Sequence, residues 1–175
     1  ILSDPQQKRG LQLLYITPLR ALSRDLTLAI REPVDDMGWP ISVGTRNGDT
    51  TSSERIKQLK NPPNILVTTP ESLCVLLSNK KAIDLFRNLR SVILDEWHEL
   101  MGSKRGTQTE LALSWLRMQN PNLQTWALSA TIGNPDQASE HALGNKTKKR
   151  LINAAPKRKT VVESIIPEAI NGFPW

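Results

Sequence analysis

Short apolar runs in strict alternation with helical patterns constrain this chain more than any other feature. Leu11 to Thr17, Ile41 to Thr45, Ile65 to Thr68, Ser91 to Asp95 and Gln124 to Ser129 read as strands. Between the first two, Pro18 to about Arg31 reads as a helix with Leu19, Leu22, Leu26 and Ile30 on one face. Thr51-x-x-Glu54 is a capping box that opens a helix through about Leu59, and Thr69-Pro70 starts another with proline at its first position. Thr107 to Met118 is helical, and Asn134-Pro135-Asp136-Gln137 caps a last helix that Gly144 can close. Such alternation implies a parallel sheet covered on both faces. Ligands of such sheets sit beyond the carboxyl ends of the strands. Thr17-Pro18, Thr68-Thr69-Pro70-Glu71, Asp95-Glu96 and Ser129-Ala130-Thr131 all fall at those ends.

The run Val92-Ile93-Leu94 leads straight into Asp95 and Glu96. Carboxylates at the end of a buried strand are costly unless paired, protonated or near a cation. Two adjacent carboxylates there suit a nucleotide hydrolase, one holding the water shell of Mg²⁺ and the next polarising the attacking water. The plain alternative is a helix start, where acidic side chains favour the dipole.

The chain of 175 residues has room for one domain with a real core. Its net charge of +6 resembles a nucleic-acid footprint until it is located. Gly144 to Thr160 holds seven basic residues and no acidic one, whereas residues 1–143 hold sixteen basic and fifteen acidic side chains. The basic pI therefore belongs to one late segment, which reads as a solvated connector as readily as a phosphate-binding patch. Cys74 is alone, so an internal disulfide is excluded, and two histidines with one thiol argue against a structural zinc site. His98 has no second ligand at i+4, so a zincin helix is excluded as well. No apolar run approaches the roughly 18 residues of a membrane span. Trp39, Trp97, Trp115 and Trp126 could stack on bases. For Trp115 and Trp126, on a helix face and a strand, core packing is the expectation.

The tetrad Asp95-Glu96-Trp97-His98 resembles the DExH form of motif II in superfamily 2 helicases. Ser129-Ala130-Thr131 resembles their motif III, Thr17-Pro18-Leu19-Arg20-Ala21-Leu22 their motif Ia, and Thr69-Pro70-Glu71-Ser72-Leu73 the TPES element. Arg46-Asn47-Gly48-Asp49-Thr50 is similar to a short segment of the Lhr branch. Within that branch, DEWHELMGSKRG, SATIGNPDQA and a closing FPW look most like the ligase-associated DEXH-box helicases. The resemblance runs through nearly the whole chain from Leu13 onward.

The resemblance implies a three-layer, mainly parallel α/β domain of the RecA-like P-loop type. By it, Asp95 coordinates Mg²⁺ through water, Glu96 is the general base, and His98 relays the nucleotide state to Ser129 and Thr131. Thr17, Pro18, Arg20, Arg46, Gly48, Asp49, Thr69, Pro70, Glu71 and Arg105 become nucleic-acid contacts. A helix start such as Thr69-Pro70-Glu71 is a natural phosphate seat, though threonine and proline there are also ordinary caps. The family pattern is incomplete: no GxxxxGK[ST] occurs in the chain. Residues 1–144 are thus expected to form a partial first RecA-like domain without its N-terminal strand and Walker A loop. Residues 145–175 are expected to form a basic connector toward a second RecA-like domain, which supplies an arginine finger. The parent would be an ATP- and Mg²⁺-dependent DNA helicase of a repair pathway, cytoplasmic, with a DNA ligase or nuclease as a further partner. The fragment itself would not hydrolyse ATP. The competing readings are a non-catalytic RecA-like module binding nucleic acid or protein, and an RNA helicase of the same superfamily.

Overall fold

The computed structural model describes residues 10–80, 82–130, 133–144 and 148–152. Among them, strands β1 (Leu13–Ile16), β2 (Val43–Arg46), β3 (Ile65–Thr68), β4 (Ser91–Leu94) and β5 (Gln124–Ala127) form one sheet in the order β2-β3-β1-β4-β5. Every pairing is parallel, and the five expected strands are all present. The connecting helices are α1 (Arg20–Asp36), α2 (Ser52–Lys60), α3 (Pro70–Leu77), α4 (Ala82–Phe86), α5 (Trp97–Leu100), α6 (Lys104–Gln119) and α7 (Pro135–Leu143). The expected connector at 145–175 lies almost wholly outside the described residues. Within them, Lys149 reaches Glu140 of α7 at 3.8 Å.

The parallel α/β sheet is present as expected, and the described residues cover its two faces unequally. Leu14, Ile16, Leu66, Val92 and Leu94 point into a core built with Leu73 and Leu76 of α3, Trp97 and Leu100 of α5, Leu113 and Leu116 of α6, and Ala138 and Ala142 of α7. Each is at most 1% exposed, and together these side chains form the centre of the core. On the other face one row of register partners runs Thr45, Val67, Tyr15, Ile93, Trp126. Helix α1 lies over its β2 and β3 end, so Val67 is fully buried. Tyr15 and Ile93 emerge half-covered, and Trp126 is 55% exposed. Core packing therefore holds for Trp115, which meets Phe86 edge-on at 6.3 Å, and fails for Trp126, because among the described residues β5 is an edge strand with no helix over that face.

Helix α1 also departs from its apolar pattern. Its buried positions are Ser23, Thr27 and Val34, while Leu22, Leu26 and Ile30 are half-buried and Leu19 is 55% exposed. A polar seam fixes this orientation: Thr27 pairs its hydroxyl with that of Thr45 on β2, and Asn47 donates to Ser23 Oγ at 2.8 Å. The helix runs on through Pro33 to Asp36, past the expected end at Arg31, because Val34 is drawn into contact at 5% exposure. Proline there removes one hydrogen bond near the helix end, where the loss is smallest. The capping box is present as expected, with Glu54 N–H donating to Thr51 Oγ1 and Thr51 N–H to Glu54.

Candidate nucleotide and nucleic-acid site

The carboxyl edge of the sheet collects the residues singled out in the sequence. Asp95 follows β4, and its backbone N–H is held by Ile16 of β1 at 2.8 Å. The next residue, Glu96, is the only described non-glycine residue with positive φ, at φ 44° and ψ 47°. A left-handed conformation in a residue with a Cβ costs about 1–3 kcal/mol and persists only where neighbours impose it. Here Asp95 Oδ1 accepts the Glu96 N–H at 3.0 Å, and Trp97 N–H bonds Leu128 O at 2.9 Å. That corner turns the strand at once into α5, so both carboxylates stand at the edge.

His98 lies one step into α5 and touches three side chains. Its Nδ1 is 2.9 Å from Ser129 Oγ and 3.3 Å from Glu96 Oε2, and its Nε2 is 3.4 Å from Glu99 Oε1. The structure thus brings Glu96, His98 and Ser129 together; Thr131 lies outside the described residues. Trp97, whose part the sequence left open, is fully buried and donates its indole N–H to Ala138 O at 3.1 Å. It anchors the DExH turn to α7.

Tyr15 was not anticipated here. Register places it beside Ile93, on the face from which Asp95 leaves, and its hydroxyl bonds the Asp95 carboxylate. Burial, then the charges of Asp95 and Glu96, push that hydroxyl up to about 12. The only signal in the sequence was its odd position between inward-facing Leu14 and Ile16. Among the described side chains no lysine or arginine lies in ion-pair reach of Asp95, and no group of three metal-ligating residues occurs. Asp95, partly exposed and without a lysine or arginine beside it among the described residues, fits a hard divalent ion that keeps most of its waters.

The remaining candidates lie at the ends of β1, β2 and β3. Thr17 is fully buried, and its hydroxyl oxygen has no hydrogen-bond partner. Such a buried, unmade bond costs about 1–3 kcal/mol. Among the helices that follow strands at this edge, α1 and α3 have no side-chain cap on Leu19 or Thr69. By contrast α2, α6 and α7 are capped by Thr51, Ser103 and Asn134. Pro70 is buried at the start of α3, and Glu71 beside it is exposed.

Arg20 and Arg24 converge on Asp49 at 3.6 and 3.1 Å, over Gly48, where a Cβ would meet the Arg20 guanidinium at 2.6 Å. Asn47, only 2% exposed, shapes this turn by accepting the Asp49 N–H at 2.9 Å, and Arg55 bonds its carbonyl. Neither Asn47 nor Arg55 was picked out from sequence; Arg55 carries no motif that could have marked it. Two expected contacts are placed elsewhere. Arg46 is 5% exposed and donates toward Arg55 O and Gln58, so burial under α2 removes it from the surface. Arg105 belongs to the first turn of α6, where its guanidinium bonds Glu71 and the Pro18 carbonyl.

A five-stranded parallel sheet with adjacent carboxylates at its carboxyl edge, and a histidine linking them to the next strand's end, defines a RecA-like helicase domain. Residues 1–138 match the family model described as DEAD/DEAH box helicase, and the chain belongs to that family. It is 34% identical over 165 residues to the ATP-dependent helicase Lhr-Core of Methanocaldococcus jannaschii, covering 89% of this chain and 19% of that protein. It is 35% identical over 156 residues to the Lhr helicase/probable uracil glycosylase of Mycolicibacterium smegmatis, covering 82% of this chain and 10% of that protein. Among solved structures, that of Mycobacterium smegmatis helicase Lhr bound to ssDNA and AMP-PNP superposes with a TM-score of 0.70 at 36% identity, covering 79% of this chain and 19% of that one. Helicase MrfA bound to DNA and AMPPNP gives a TM-score of 0.68 at 29% identity, covering 80% and 20%. The chain therefore spans a fifth or less of these relatives' length.

Proposed function

We propose that this chain is the larger part of the first motor domain of an ATP-dependent DNA helicase or translocase acting in DNA repair in the cytoplasm. The observation that carries the reading is His98, which joins Glu96 to Ser129 at the same sheet edge as the uncapped α1 and α3. Asp95 would hold Mg²⁺ through water, and the ion would supply charge stabilisation on the nucleotide phosphates. Glu96 orients and deprotonates the attacking water. His98 carries the nucleotide state to Ser129 and Thr131. Thr17, Pro18, Arg20, Gly48, Asp49, Thr69, Pro70 and Glu71 form the edge along which a strand lies. The uncapped starts of α1 and α3 and the unpartnered Thr17 hydroxyl support a phosphate backbone there. The DNA and AMP-PNP carried by the Lhr and MrfA structures support both ligands. A second RecA-like domain of the parent completes the site, and a DNA ligase or nuclease is the partner to look for.

Without a phosphate loop within these 175 residues, the isolated chain does not turn over ATP. The test is a steady-state ATPase assay with and without single-stranded DNA. The full-length protein is expected to be stimulated by DNA, with turnover lost in E96Q, and the isolated chain to be inactive. DNA-stimulated turnover that survives in E96Q would refute the assignment.

A further inference from the structure

Two of the three guanidinium nitrogens of Arg105 are engaged within the protein. Its Nε lies 2.5 Å from Glu71 Oε1, its Nη2 lies 3.5 Å from Glu71 Oε2, and the same Nη2 donates to the Pro18 carbonyl. Pro18 sits in the turn between β1 and α1, and Glu71 in the first turn of α3. One guanidinium therefore ties together the two segments whose helix starts lack side-chain caps.

The other end of this strut is the DExH turn. Arg105 is the second residue of α6, and the start of α6 is fastened to the end of α5. Ser103 Oγ donates to Leu100 O at 2.6 Å, and Ser103 N–H reaches the same carbonyl at 3.2 Å. Gly106 approaches so closely that a Cβ would lie 2.1 Å from Leu100 O. Helix α5 is four residues long, carries His98, and begins directly after Glu96. The start of α6 is thereby joined to α5 by one short side chain and by direct backbone contacts.

We propose that Arg105 is a positioning residue that couples nucleotide occupancy at Glu96 and His98 to the grip of the Pro18 and Glu71 segments on a nucleic-acid strand. The proposal rests on the functional reading above and differs from a direct contact in what it predicts. A direct phosphate contact adds the same affinity with or without nucleotide. A coupling strut adds affinity only as a difference between the two states, and the effect is reciprocal. Lysine cannot replace it, since one ammonium does not span a carboxylate and a carbonyl as a planar fork does.

The test measures the dissociation constant of a labelled single-stranded oligonucleotide for the full-length protein, with and without Mg²⁺ and AMP-PNP. Natural couplings of this kind run at about 5- to 150-fold. R105A and R105K are both expected to bring that ratio to within about twofold of unity, with nucleotide-free affinity changed by less than about twofold. A ratio unchanged in both variants overturns the proposal. So does nucleotide-free weakening with the salt slope reduced by about one, the mark of a lost phosphate contact. Full recovery of the ratio in R105K overturns it too, because charge alone would then suffice. If R105A does not fold, R105K carries the comparison. Wild-type protein that binds neither the oligonucleotide nor AMP-PNP would overturn the functional reading and the coupling with it; binding with an undisturbed ratio overturns the coupling alone.

Discussion

Glu96 shows how much of the site is decided by single backbone angles. A left-handed glutamate is disfavoured, and glycine would fit the corner better, yet glycine has no carboxylate. The surrounding bonds from Asp95 and Leu128 hold the angle in place. Tyr15 supports the same corner from β1, and its raised pKa has a pH signature. A group whose folded pKa lies above its unfolded value of about 10 contributes stability below that value, and the contribution is lost as pH rises through the folded one. Wild-type protein is therefore expected to lose stability relative to Y15F between about pH 10 and 12, with no such relative loss between pH 7 and 9. Paired denaturant titrations across that range check the sign. Glu71 behaves oppositely. Burial pushes it up, but its own N–H, Arg105 and Thr69 outweigh that and leave it below the ordinary carboxylate value. Its contribution is present above about pH 4.5 and is lost as pH falls through the lowered value.

At the scale of elements, capping and close approach explain what the hydrophobic pattern did not. Thr51, Ser103 and Asn134 accept N–H groups at the starts of α2, α6 and α7, and two of those three starts were legible as written. Helix α6 begins three residues earlier than its apolar pattern, because Ser103 caps it and Gly106 lets it close on α5. In an open helix, alanine at Gly106 would help by about 1 kcal/mol. Against the Leu100 carbonyl it must force the helices apart, at about 1–3 kcal/mol. G106A is expected to lower the urea midpoint of the full-length protein without changing the slope. A midpoint that rises would mean that α5 and α6 already part freely. Helices α4 and α5 carry too few turns to leave a periodic trace, so the sequence could not announce them. The seam of Ser23 and Thr27 was invisible for a different reason. Polar residues read as solvent-facing until a partner such as Thr45 is seen opposite.

For the molecule as a whole, the face over β1, β4 and β5 that the described residues leave open is the main consequence of the topology. Trp126 on the described edge strand β5 and Leu128 just after it, at 55% and 43% exposure, are a combination that favours association between chains. The isolated chain is expected to self-associate in sedimentation velocity. W126K should reduce that association while leaving stability within about 0.5 kcal/mol, as for other exposed positions. A large loss of stability would show that Trp126 is held by packing after all. The parallel direction of the strands and the gathering of Thr17, Thr69, Asp95 and Ser129 at one edge followed from the sequence, because strand and helix periods and the rule for parallel connections act locally. The sequence by itself also marked Asp95, Glu96 and His98. Only the tertiary structure decided that Arg46 is buried, that Arg105 faces inward to Glu71 and Pro18, and that Tyr15 bonds Asp95. The physical reason is that a side chain's chemistry is written in its type, whereas its partner depends on which distant segment the sheet register brings alongside.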